Sequence, residues 1–310
     1  MTPIIEVKRL IKRYRGATTN AVDDISFDVA QGEFFTLLGP NGAGKTTTIS
    51  ILTTTLAPTS GEVRIAGYDV VRSSGDVRQN IGIIFQQPSL DFNLSAEENI
   101  RFHAILYGLY PFYPTFSTMP AAYRDRVHEL AALLGLENEM FKQVKKFSGG
   151  MRRKLEIIRS LLHKPRVLFL DEPTSGLDPV SRKNLWEYLG KVRYESGTTI
   201  FLTTHYLEEA EDADKICMIN QGRILSFGSP QQVKANLIEH YLLIDADNRE
   251  QLRAELQRLG IKFSETPLFK ISLNGISTQQ IIKKIDTPLT LVKTHIPTLE
   301  DAYVEIMEHA

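Results

Sequence analysis

Short apolar runs alternate along this chain with segments whose apolar positions recur at helical spacing, the pattern of an α/β core in which buried strands are joined by amphipathic helices. Strands are predicted at Ile25 to Val29 and Phe34 to Leu38, with Gly32 between them, and at Ile81 to Phe85. Val167 to Leu170 and Thr199 to Leu202 are two more, each after a helical pattern, and Asn220-Gln221-Gly222-Arg223 reads as a hairpin turn. Beyond Gly228-Ser229-Pro230 and a short helix the alternation restarts: a strand at Tyr241 to Ile244, a helix at Glu250 to Leu259, two strands around Lys262 and Lys270, a helix at Gln279 to Lys284 and a strand at Leu289 to Lys293.

The order β-α-β-β-α-β of that last stretch resembles a ferredoxin-like unit, which places a boundary near residue 235 and predicts a main domain over 1–235 and an accessory domain over 236–310. A length of 310 residues, 42% apolar and 24% charged, suits one large core plus a small one. The net charge of −1, without long runs of one sign, lacks the basic footprint of a nucleic-acid binder, so no nucleic-acid partner is expected. The lone Cys217, on an apolar strand, reads as a buried small hydrophobe, and Trp186 as a packing residue. The first residues lack the basic and apolar regions of a signal peptide, and no run of about 18 apolar residues occurs. A cytoplasmic chain whose membrane role would run through a partner is therefore expected.

Gly39-Pro40-Asn41-Gly42-Ala43-Gly44-Lys45-Thr46 fits the phosphate-loop pattern and lies between a strand and a helix. Glycines let successive backbone N–H groups turn inward around phosphate oxygens, and the start of the helix adds the positive end of its dipole. Lys45 is expected to neutralise the β- and γ-phosphates of ATP and Thr46 to ligate Mg²⁺, with Thr47 beside them. The bland alternative is a glycine-rich turn without a ligand. A second apolar strand ends in Asp171 and Glu172. Behind a phosphate loop, Asp171 is expected to hold Mg²⁺ through water and Glu172 to accept a proton from, or orient, the attacking water. Taken alone, the same pair would read as helix-capping acids.

Phe147-Ser148-Gly149-Gly150-Met151 resembles the signature of the ATP-binding-cassette ATPases, usually Leu-Ser-Gly-Gly-Gln, with Phe147 and Met151 departing from it. Ser175-Gly176-Leu177-Asp178 is similar to the family's D-loop, His205 sits where the family has its switch histidine, and Gln86 where it has a glutamine that senses Mg²⁺ and the membrane partner. Gln87 is the neighbouring alternative. Tyr14 is placed like the aromatic that stacks on adenine. Together these elements carry the resemblance over residues 4 to 230. It implies an α/β fold with a P-loop ATPase core, an antiparallel β subdomain and a helical subdomain at about 95–160, followed by the small α+β domain.

The resemblance also implies a head-to-tail pair of cassettes, homo- or heteromeric, in which Ser148 and Gly150 of one chain face the nucleotide held by Lys45 of the other, with Gly149 and Asp178 also expected to bind nucleotide. An integral-membrane permease subunit would hold the pair on the cytoplasmic face. The end of the chain, Pro297-Thr298-Leu299-Glu300-Asp301-Ala302-Tyr303, is similar to antibiotic and drug exporter ATPases, including the daunorubicin-resistance type, which points to export of a drug, antibiotic, lipid or similar amphipathic cargo. The alternatives are a soluble cassette ATPase and a nucleotide-dependent regulator. An aromatic stretch at Tyr107 to Phe116 either meets a partner or folds onto its own helices.

Overall fold

A computed structural model describes residues 2–85, 89–175, 177–235, 241–265, 267–273, 277–295 and 298–308. Gln86, Gln87, Gly176 and Pro297, named above, lie outside these residues. The chain forms two compact units, Met1–Phe227 and Gly228–Ala310, dividing a few residues ahead of the boundary expected near 235.

In the first unit the elements run β1 (Ile5–Lys12), β2 (Val22–Val29), β3 (Phe34–Leu38), α1 (Lys45–Leu52), β4 (Ser60–Ile65), β5 (Tyr68–Asp69), α2 (Ser74–Asn80) and β6 (Ile81–Ile84). The helices α3 (Ala96–Leu106), α4 (Ala121–Leu134) and α5 (Gly149–Leu161) follow. Then come β7 (Val167–Asp171), α6 (Pro179–Ser196), β8 (Thr199–Thr204), α7 (Leu207–Ala210), β9 (Lys215–Asn220) and β10 (Arg223–Gly228). Strands β2-β1-β4-β5 make an antiparallel sheet, and β10-β9-β3-β8-β7-β6 a six-stranded one in which β9, β3, β8, β7 and β6 are parallel. All five residues of β3 and of β7 are buried, as strands covered on both faces must be.

The two sheets share one core. Phe27 of the antiparallel sheet stacks on Phe35 at 5.2 Å between ring centroids, Phe35 on Phe201 at 5.0 Å, and Phe169 meets Phe201 at 5.3 Å. Gln221 and Gly222 both have positive φ, the geometry of a tight hairpin turn, and join β9 to β10 where the dipeptide predicted it. Cys217 is buried in β9, and Trp186 on α6 stacks on Phe34 at 5.8 Å.

Helix α3 starts at a capping box in which Ser95 and Glu98 satisfy each other's backbone N–H groups. The aromatic stretch folds largely onto these helices. Tyr110 and Phe116 meet the fully buried Tyr123 ring edge-on, and the Arg101 guanidinium donates to the carbonyls of Tyr113 and Pro114. Leu106 and Phe112 point outward.

The second unit holds α8 (Pro230–Ala235), β11 (Tyr241–Asp245), α9 (Arg249–Arg258), β12 (Phe263–Glu265), β13 (Phe269–Ser272), α10 (Thr278–Ile282), β14 (Leu291–His295) and α11 (Leu299–Glu308). Its sheet order, β12-β13-β11-β14 and antiparallel throughout, is the ferredoxin-like arrangement that the element order predicts. Leu242, Ile244, Leu252, Leu256, Phe269 and Ile271 fill its own core. Among the described residues no helix is long and apolar enough to cross a membrane.

Candidate functional site

The site is built where parallel strands end. β3 runs into residues 39–44 and then α1, so the loop wraps back over the carboxyl end of the sheet. Two close approaches demand glycine there. A Cβ on Gly39 would lie 2.2 Å from the Ile219 carbonyl oxygen, and one on Gly44, whose φ is +106°, 2.4 Å from that of Ala21. Asn41 and Gly42 are exposed at the tip, while Ala43 is buried and its carbonyl accepts from the Gly222 N–H at 2.9 Å. The Lys45 side chain folds over this loop and donates to the carbonyls of Gly39, at 2.7 Å, and Pro40, at 3.0 Å. Thr46 is exposed on the first turn of α1, and the Thr47 hydroxyl lies 3.3 Å from that of Tyr14.

Two neighbouring strands bring the carboxylates. Asp171 ends β7 fully paired with β8 and accepts a hydrogen bond from the buried Thr203 hydroxyl. Glu172 leaves the strand at φ +45°, a left-handed backbone that turns its side chain toward Lys45 and His205. Its Oε1 lies 3.1 Å from His205 Nδ1 and 3.9 Å from Lys45 Nζ. The electrostatics are those of a crowded, dry corner. Burial pushes the Lys45 ammonium below its usual range while Glu172 and Asp171 pull it back. Burial raises Asp171, the Glu172 charge adds to this, and Thr203, Lys45 and Arg153 oppose it.

The signature forms a second cluster. Ser148 caps α5, its hydroxyl accepting from the Met151 N–H at 3.2 Å, and Asp178 caps α6, accepting from the Ser181 N–H at 3.0 Å. Gly149 opens α5, and a Cβ on Gly150 would lie 3.1 Å from the Ser181 hydroxyl, so the two helix starts approach closely here. Ser148, Gly150, Met151, Leu177 and Ser181 are among the residues lining a cleft of about 500 Å³. The structure thus draws Lys45, Asp171, Glu172, His205, Tyr14 and Thr47 around one loop, and gathers Ser148, Gly150 and Asp178 around Ser181.

Sequence reasoning passed over Thr203, Glu209 and Arg153. Glu209 accepts from the hydroxyls of Thr174 and Thr204, tying the segment after Glu172 to the one before His205. The only sequence signal was a pair of threonines at the end of a buried strand.

The residues fit a nucleotide with a hard cation. Thr46 and Asp171 offer oxygen donors only, as Mg²⁺ prefers. Among the described residues no three His, Cys, Asp or Glu side chains gather into a metal cage.

Residues 22–175 match the ABC transporter family. The chain is 40% identical over 259 residues to the daunorubicin/doxorubicin resistance ATP-binding protein DrrA of Streptomyces peucetius, covering 83% of this chain and 74% of that one. It is 37% identical over 232 residues to the probable multidrug ABC transporter ATP-binding protein YbhF of Escherichia coli, covering 75% of this chain but only 38% of that longer relative. A solved dimeric, post-hydrolysis structure of the ATP-binding cassette MJ0796 bound to ADP and Pi superposes with a TM-score of 0.64 at 26% identity, over 73% of this chain and 98% of that one. On these matches the chain belongs to the ABC transporter family as one of its ATP-binding, ATP-hydrolysing cassettes.

Proposed function

We propose that this chain energises an exporter built around a separate integral-membrane subunit, hydrolysing ATP in a head-to-tail pair with a second cassette. The observation that carries the chemistry is the Glu172 carboxylate, held by a left-handed turn between His205 Nδ1 at 3.1 Å and Lys45 Nζ at 3.9 Å. There Glu172 accepts the proton of the attacking water, and His205 fixes the carboxylate's rotamer and faces the γ-phosphate. Lys45 exchanges its bonds with the Gly39 and Pro40 carbonyls for phosphate oxygens, as a buried ammonium in a loop of inward N–H groups favours. Thr46 and Asp171, with Gln86, would hold Mg²⁺, whose charge offsets that developing on the phosphates. The half-exposed Tyr14 ring, anchored through its hydroxyl to Thr47, offers a face for adenine.

Ser148 and Gly150 present a hydroxyl and helix-start N–H groups to the nucleotide of the opposite chain, with Asp178 fixing the start of α6 beside them. Export, and an amphipathic cargo such as a drug, antibiotic or lipid, rest on the likeness to DrrA and YbhF, named for drug resistance and multidrug transport. The permease subunit would place the cassette on the cytoplasmic face of the membrane, and the Gly228–Ala310 unit would be an accessory domain.

Glu172→Gln tests the base and the pair together. On the assembled complex it is expected to slow hydrolysis by about 10²- to 10⁴-fold while ATP binding persists. Crosslinking across the cassette interface with Mg-ATP should then trap a closed pair, and adding Ser148→Arg should abolish it. Equal closure with and without the Ser148 change would sink the shared-site mechanism, and unchanged hydrolysis by Glu172→Gln would remove the base.

A further inference from the structure

The signature helix α5 buries three charges on its inward face. Arg153, Glu156 and Arg159 are 7%, 1% and 9% exposed, and they form a chain of contacts. Arg153 Nη1 donates to Glu156 Oε2 at 2.9 Å, and Arg159 lies 4.0 Å from Glu156 Oε1. The outer members are fastened to other segments. Arg153 Nε donates to the Pro173 carbonyl at 2.8 Å, and its Nη1 also donates to the Phe85 carbonyl at 2.6 Å. Glu156 Oε1 accepts from the Ser89 N–H at 3.2 Å, and Arg159 donates to the Ser89 carbonyl at 2.7 Å and to the Ser89 hydroxyl.

Such a cluster is poorly explained by stability. Burial pushes both arginines below their usual range, with Glu156 opposing, and a buried ion group of this kind adds little that well-packed apolar side chains would not. What apolar side chains cannot do is set a register between segments. Pro173 follows Glu172 directly, and the turn is held by the Glu172 N–H bond to the Thr203 carbonyl, by the Ser175 N–H bond to the Glu172 carbonyl and by the Arg153 bond to the Pro173 carbonyl. Arg153 supplies a fork of rigid donors at that point, and the same residue sits on the helix that Ser148 caps.

We propose that Arg153, oriented by Glu156 and Arg159, is a positioning residue: its guanidinium grips the Pro173 carbonyl and so sets the turn carrying Glu172 in register with the helix that begins at Ser148. It acts through Glu172. The inference rests on the reading of Glu172 as the base.

Arg153→Lys is the sharpest probe, because it keeps the charge and most of the volume but gives up the planar fork. In the full chain, kcat for ATP should fall by about 10- to 100-fold, since misplacing a reacting group by an ångström costs that much. KM should stay within roughly threefold, because ground-state binding does not pass through Glu172. Arg153→Met should lose at least as much, and if it fails to fold the lysine variant still decides. The cycle with Glu172→Gln separates positioning from packing. With the base already gone, adding Arg153→Lys should cost less than about twofold more in single-turnover hydrolysis, because residues acting as one unit are strongly non-additive. The same fold loss in both backgrounds, an unchanged kcat, or a KM rise matching the kcat loss overturns the positioning role alone. Normal hydrolysis by Glu172→Gln would overturn the base and the positioning role together.

Discussion

Asp171 in the first unit and Glu255 in the second are both buried carboxylates in α/β surroundings, and their environments push them in opposite directions. Glu255 on α9 accepts from the Thr287 hydroxyl at 2.5 Å and from the N–H groups of Thr287 and Asp286 at 2.9 Å each. Those bonds, the Thr287 hydroxyl foremost, hold it below the usual carboxylate range. Asp171 has burial and a second carboxylate against it and is pushed up. One carboxylate is at rest; the other stands in a field that bound phosphate and cation would rebalance. Hydrogen-bond donors surround Glu255, whereas burial and a second carboxylate surround Asp171, and that difference sets the two directions.

Lys45→Ala should break the contrast most. It strips the positive partner from Asp171 and Glu172, and steady-state ATP hydrolysis should fall by about 10²- to 10³-fold, measured as phosphate release. Hydrolysis at the normal rate would mean that the phosphate loop has been misassigned.

His205→Ala removes the 3.1 Å partner of Glu172 while sparing the loop. Turnover should drop on the order of 10²-fold with a much smaller change in ATP KM, since the contact matters most as charge redistributes. A normal kcat would leave His205 as a packing residue.

Glu255→Ala should do the reverse, costing about 2 kcal/mol in the second unit by orphaning two N–H groups and a hydroxyl, with ATP turnover untouched. Protection of Asp286 and Thr287 amides from hydrogen exchange reads this directly. The folded-state pKa of Glu255 is depressed, so its contribution is present above the unfolded-state value and is lost as pH falls through the folded one. Acidification should therefore mimic the mutation in the wild-type unit, and an acid-insensitive amide protection pattern would refute the assignment.

The sequence disclosed what local rules govern. Residues 39–46 announce a phosphate loop because only glycine tolerates the approaches to Ile219 and Ala21. Gln221-Gly222 announces its turn because both residues need positive φ. The β-α-β-β-α-β order sufficed for the second sheet because short connections leave few topologies. What stayed hidden was nonlocal. Arg153, Glu156 and Arg159 have the spacing of a solvated charged stripe, and only the carbonyls of Phe85, Pro173 and Ser89, brought in by other elements, make that face an interior one. Which way the aromatic stretch folds was likewise undecidable until Tyr123 and Arg101 arrived from neighbouring helices.

The left-handed backbone of Glu172 has an evolutionary consequence. Glutamate gains nothing from φ +45°, whereas asparagine and glycine adopt it readily. On the reading of Glu172 as the base, turnover would require a glutamate here that backbone stability alone would not favour. Glu172→Asn should therefore melt slightly higher than the wild type while hydrolysing almost nothing, and a lower melting temperature would argue that the turn is held by the side chain's own bonds. If Glu172 is the base, a cassette freed from hydrolysis could carry asparagine or glycine at this position without loss.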